Sequence, residues 1–139
     1  MPTNNVALWY IYHVKNCIHT KPQPKNKYVV ITCTGESAMG FLINSHINDF
    51  ILNRPHLSAC QAAIDAKDHS CLNHNSYIDC RDIFPFGEDD LNDRKSVISP
   101  TAKRRIIQAV YSCTVLEKKY KNIILSNEKD ILDSIINSK

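Results

Sequence analysis

Residues 28–44 constrain the fold more than any other stretch of the chain. Tyr28-Val29-Val30-Ile31-Thr32-Cys33-Thr34 is a run of β-branched, aromatic and small apolar residues. Such residues suit the pleated, packed surface of a sheet. Thr34-Gly35-Glu36-Ser37 then supplies turn chemistry. Ala38–Asn44 (AMGFLIN) follows as a second apolar run. Two strand-like runs joined so closely predict an antiparallel hairpin.

Further strands are expected on both sides of the hairpin. Ala7–Val14 (ALWYIYHV) is rich in aromatic and β-branched residues. A basic loop with Pro22 and Pro24 separates it from the hairpin. Ala59–Asp65 and Ser76–Cys80 read as two more strands, and Phe84-Pro85-Phe86-Gly87 ends the β region. The predicted strands are therefore 7–14, 28–34, 38–44, 59–65 and 76–80. Several short strands at small spacings favour a curled sheet or barrel over βαβ units. Ser45–Pro55 reads as irregular, with Asn48, Asp49, Asn53 and Pro55 as breakers.

After Gly87 the pattern turns helical. Ser99-Pro100 is a helix start, with Ser as N-cap and Pro at the first helical position. Ile106, Ile107, Val110 and Tyr111 recur at helical spacing, and further apolar pairs follow at Ile123-Ile124, Ile131-Leu132 and Ile135-Ile136. Ser126 or Asn127 would cap the last helix, with Asp130 in its first turn. The expected architecture is α+β: one domain over 1–139, with a small antiparallel β-barrel-like body at 7–86 and a helical tail at 97–137.

Composition narrows the class. The chain has 139 residues, 43% hydrophobic and 22% charged, with a formal net charge of +3. That suits one globular domain with its own core. The small positive charge permits nucleic-acid binding without arguing for it. The polar start Met1-Pro2-Thr3-Asn4-Asn5 reads as no signal peptide, and no apolar run approaches a membrane span. The expectation is a cytoplasmic protein, off the membrane, whose six cysteines remain unbridged thiols.

The densest polar cluster is Lys67–Cys80 (KDHSCLNHNSYIDC). His69, Cys71, His74 and Cys80 offer zinc-type donors, but their spacing matches no common finger and the chain holds no C-x-x-C pair. A capped turn with buried cysteines accounts for the same residues, so no metal or other cofactor is expected. Cys71 beside His69 or His74 has the elements of a nucleophile and base, without an evident orienting group. Three glycines in all leave no phosphate-cradling loop. Basic residues gather at Lys15, Lys21, Lys25 and Lys27, and again at Lys103, Arg104, Arg105, Lys118, Lys119 and Lys121. The first group stands before the central strand, where lysines suit the phosphates of single-stranded RNA and Tyr12 or His19 suits base stacking.

Tyr28-Val29-Val30-Ile31-Thr32, then Gly40-Phe41-Leu42-Ile43-Asn44-Ser45, then Cys60-Gln61 and Asp68–Ile78 (DHSCLNHNSYI) together resemble the PemK/MazF group of toxin-like RNA-cleaving proteins. The resemblance covers roughly residues 7–86. It implies an SH3-like barrel with helical additions, and a metal-independent endoribonuclease restrained by a protein antitoxin, with a homodimer as one assembly. In that group a 2′-hydroxyl attacks the neighbouring phosphate, which calls for a base, an acid and positive charge. Lys25 and Lys27 stand where the group has an arginine, and Ser45, followed by His46, stands at its Ser/Thr position. Carried over, Lys27 or Lys25 would stabilise the phosphate and Ser45 would hydrogen-bond it. His46, His69 or His74 would move protons, and Lys15, Lys21 and Tyr12 would hold the RNA. The alternative is a non-catalytic interaction module of the same fold, in a phage-defence or phage regulatory system. On the catalytic reading the 15–27 loop, Ser45-His46 and 67–77 converge on one concave face. Strand direction alone sets Lys27 and Ser45 on one sheet edge.

Overall fold

The hairpin forms as its sequence requires. In the computed structural model, which describes residues 6–138, β2 (Lys25–Cys33) pairs antiparallel with β3 (Ala38–Asn44), with Val29 opposite Leu42 and Val30 opposite Phe41. Gly40 lies opposite Ile31. A Cβ at Gly40 would sit 2.6 Å from the Val30 carbonyl oxygen and 2.9 Å from Ile31 Cδ1. Close backbone approach is what requires glycine here.

β1 (Tyr10–Cys17) lies against β2 and β5 (Ser76–Phe86) against β3. The short strands β4 (Gln61–Ile64) and β6 (Arg94–Val97) form the two edges. The order is β4-β5-β3-β2-β1-β6, and every neighbouring pair is antiparallel. The six strands curl into a half-barrel. Each expected strand has a counterpart: β3 keeps its expected bounds, β1 starts later, β2 starts earlier, β4 is shorter at both ends, and β5 runs on through Phe86. β6 was not expected.

Alternation along β2 explains its unbroken hydrophobicity. Val30 packs with Phe41, Ile43, Ile78 and the helices on one face, while Val29 and Ile31 pack with Tyr12, Val14 and Phe86 on the other. A strand covered on both faces has no polar side to show. On the first face lies α3 (Pro100–Ser112), burying Ala102, Ile106, Ile107, Ala109 and Val110. Its start is the expected one: the Ser99 hydroxyl accepts the Ala102 N–H at 3.1 Å. α4 (Lys118–Asn127) and α5 (Lys129–Asn137) complete the cover through Ile124 and Ile135. α5 is preceded by Glu128, not by a capping Ser126 or Asn127, and no side chain caps it. Between β3 and β4, the segment expected to be irregular holds two single turns. These are α1 (Asp49–Leu52), capped by the Asn48 side chain, and α2 (Pro55–Ser58), opened by its proline.

One expectation is overturned. Cys60, just before β4, and Cys113, closing α3, form a disulfide across a separation of 53 residues, with Cα atoms 4.7 Å apart. Packing α3 on the sheet brings the two into bonding range, which residue spacing alone does not reveal. Cys17, Cys33, Cys71 and Cys80 are free. No helix among the described residues is long and apolar enough to cross a membrane.

Candidate functional site

In an antiparallel hairpin the start of the first strand lies beside the end of the second. β5 also begins there, since Tyr77 lies opposite Asn44. Three chain segments therefore meet on one rim: the start of β2, the residues after β3, and those leading into β5. Between them lies a cleft of about 290 Å³. Its lining includes Lys25 and Lys27, Ser45, and Asn73, His74 and Ser76, with His13 of β1 and Tyr28 of β2 beside them and Ile43 and Leu72 as apolar surface.

The rim geometry is ordered from the loop upward. The Thr20 hydroxyl, 2.9 Å from the Cys17 carbonyl and 2.8 Å from that of Gln23, also accepts the Lys25 N–H at 2.9 Å. One buried side chain thus folds the 17–25 loop back and sets the start of β2. Ser45 Oγ lies 3.2 Å from His46 Nδ1, both residues being exposed. The Ser76 hydroxyl donates to the His74 carbonyl at 3.0 Å, fixing the turn that presents the imidazole. The His13 and Tyr28 rings meet edge to face at 5.1 Å. The Asp93 carboxylate stands 3.8 Å from His13 Nδ1.

The lysines divide by face. Lys27 lies opposite Val14 and shares the face of Val29, so alternation sends its side chain away from that of Tyr28. Its pKa is lowered, first by partial burial and then by the charge of Lys25, against smaller raising effects of Cys17 and Asp79. Lys27 is half-buried, while Lys25 at the strand's start is exposed and is the freer cation.

Five other candidates stand outside the cleft, among them His46, which is exposed and not part of its lining. His69 is fully buried: its Nδ1–H donates to the Asp65 carbonyl at 2.7 Å and its Nε2 accepts the Ser99 N–H at 3.0 Å. With both nitrogens occupied, it is a neutral link between the turn after β4 and the start of α3, and it has no free position for proton transfer. Tyr12 is 2% exposed, and its hydroxyl accepts the Ala7 N–H at 3.0 Å. It belongs to the core of the opposite face and offers no ring for stacking. Lys15 and Lys21 are exposed but do not line the cleft. His19, also read as a stacking residue, already stacks on Phe84 at 4.6 Å. The zinc-type set is dispersed too: no cluster of three or more His, Cys, Asp or Glu among the described residues is placed to hold a metal ion.

Sequence reasoning missed His13, Tyr28 and Asn73. His13 and Tyr28 sat inside strand-like runs and were read only as parts of strands. The available signal was the two-residue period, which gives His13 the same face as Ile11 and leaves it near the strand's open end. Neither protein-family models nor curated proteins include a match to this chain.

Proposed function

We propose that this chain is a PemK/MazF-like toxin acting as a metal-independent endoribonuclease on single-stranded RNA. The barrel that this reading implies is SH3-like, of which the observed sheet would be the open form. The observation that carries the reading is the convergence of Lys25, Ser45 and His74 on one cleft. A cation, a hydroxyl and an imidazole are the groups that a phosphate under attack by a 2′-hydroxyl calls for. A protein antitoxin would restrain the activity by covering this rim, and a homodimer fits the reading. The RNA target puts the protein in the cytoplasm. The Cys60–Cys113 bridge argues against that placement, because cytosolic thiols are kept reduced.

Expression is expected to arrest growth, with Ser45→Ala and Lys25→Ala relieving the arrest at equal protein level. Purified protein is expected to cut single-stranded RNA with chelator present, leaving 2′,3′-cyclic phosphate ends. Intact RNA after prolonged incubation sinks the enzyme reading. A second reading, the non-catalytic interaction module, is favoured by the burial of His69 and by the turning away of Lys27, which remove two of the candidate chemical groups. It predicts RNA binding that Lys25→Ala weakens, with no cleavage.

A further inference from the structure

We infer that His13 and His74 act as an acid–base pair across the cleft, with Asp93 positioning His13. This rests on the ribonuclease reading and names the proton chemistry of that site. Both imidazoles line the same 290 Å³ space, a volume at the lower end of ligand pockets and suited to one phosphate and a single nucleoside. They arrive from different directions: His13 from β1, and His74 from the loop before β5. An in-line displacement needs one imidazole toward each of the two reacting oxygens, and on this proposal His13 and His74 take those two places.

The environments divide the roles. His13 is held by its strand, where its backbone N–H donates to the Asp93 carbonyl at 3.0 Å. The Asp93 carboxylate stands 3.8 Å from His13 Nδ1, beside the ring it positions. Lys95 pairs with the other Asp93 oxygen at 3.2 Å. From β2, Tyr28 presents its ring edge and Lys25 its exposed charge. From β6, Arg94 lies opposite Tyr12 and over Tyr10, directed away from His13. His74 is exposed and pairs with no carboxylate among the described residues. On this proposal His13, with a carboxylate beside it, takes the acid's place and exposed His74 the base's. His74 takes the proton of the ribose 2′-hydroxyl as that oxygen bonds to phosphorus. His13 gives its proton to the 5′-oxygen as the P–O5′ bond breaks. The products are a 2′,3′-cyclic phosphate and a 5′-hydroxyl end, and exchange with water resets both rings.

The test combines kinetics with proton titration of the wild-type protein. Cleavage of a single-stranded RNA should follow a bell-shaped pH profile. His13→Gln should lower the rate about 10²–10⁴-fold and abolish the alkaline limb, and His74→Gln should abolish the acid limb. Asp93→Asn should lower kcat while leaving KM unchanged, a split that a merely structural role would not give. NMR titration of the assigned wild-type histidines, with and without inorganic phosphate, needs no variant to fold. Phosphate should raise the midpoints of His13 and His74 together and leave exposed His56, outside the cleft, where it was. A phosphate effect on His74 alone, or a His13→Gln enzyme with full rate and both limbs, overturns this inference while leaving the ribonuclease reading standing. Wild-type protein that leaves RNA intact overturns both.

Discussion

Lys27 and Tyr28 are neighbours in sequence and serve opposite faces of the sheet. That one-residue alternation decides which side chain can act in the cleft, and it has a measurable consequence. The pKa of Lys27 is lowered by burial and by Lys25, so the folded state disfavours its charge. A lysine whose folded pKa lies below its unfolded value weakens the fold wherever both states are protonated. The cost fades as pH rises from the folded value through the unfolded value near 10.4. Lys27→Met is therefore expected to melt higher than wild type at pH 7, with the difference shrinking toward pH 10–11. An unchanged difference across that range counts against the burial account. Asp79 has the opposite sign. Its burial alone would raise its pKa, yet hydrogen bonds from Arg81 and Gln61 and the charge of Arg81 hold it below the ordinary value. Arg81 grips it in a fork, Nε to Oδ1 at 2.9 Å and Nη2 to Oδ2 at 2.8 Å. This stability is present above about pH 4 and is lost as pH falls through the folded value. Asp79→Ala should cost about 1–3 kcal/mol at pH 7, measured by urea unfolding, and much less at pH 2.

At the scale of elements, the hairpin and the start of α3 were legible because local chemistry alone decides them. β2 is apolar on both faces, and Ser99-Pro100 is a capping pair that needs no tertiary help. β6 was hidden for the converse reason. Arg94–Val97 (RKSV) carries no apolar period, and as an edge strand it is held by backbone pairing to β1. The extension of β5 was masked by Pro85. A proline is expected to end a central strand, but β4 covers β5 only at residues 76–79. Beyond that point one side of β5 has no partner strand, and a missing N–H costs nothing there. Of the candidate site, the meeting of Lys27 and Ser45 on one sheet edge followed from strand direction, and the place of His74 beside them did not. The withdrawal of His69 and Tyr12 did not, because burial depends on which loop and which face the rest of the chain covers. Gly40 offers the sharpest test of the hairpin's packing. An added methyl meets backbone oxygen at 2.6 Å, which cannot rotate aside. Gly40→Ala should destabilise the protein by about 1–3 kcal/mol, and a neutral outcome would mean that β2 and β3 can part there without cost.

The whole molecule is tied by Cys60–Cys113. The bridge joins the entry to edge strand β4 with the end of α3, the helix whose Ile106, Ile107 and Val110 cover one face of the sheet. It therefore links the two layers from the edge of the sheet to the end of the helix. The other four cysteines differ in access: Cys17, Cys33 and Cys80 are buried, and only Cys71 is partly open, with the Ser96 hydroxyl 3.4 Å from its sulfur. Burial raises the pKa of Cys33 and raises that of Cys80 further. Their thiolates, the reactive forms, are scarce in the folded state. Thiol titration should then proceed in three steps. The native, non-reduced protein should show one fast thiol, Cys71, and denaturation should raise the total to the four free cysteines. Reduction before denaturation should raise it to the six of the sequence. Closing a loop of 53 residues restricts the unfolded chain by about 3–5 kcal/mol on the chain-entropy account. Cys60→Ala/Cys113→Ala should accordingly melt well below wild type, and adding reductant should lower the wild-type melting point while leaving that of the double variant unchanged. Six thiols in the denatured, non-reduced protein would mean that the two sulfurs lie in contact without bonding. The objection to a cytoplasmic toxin would then disappear with the bridge.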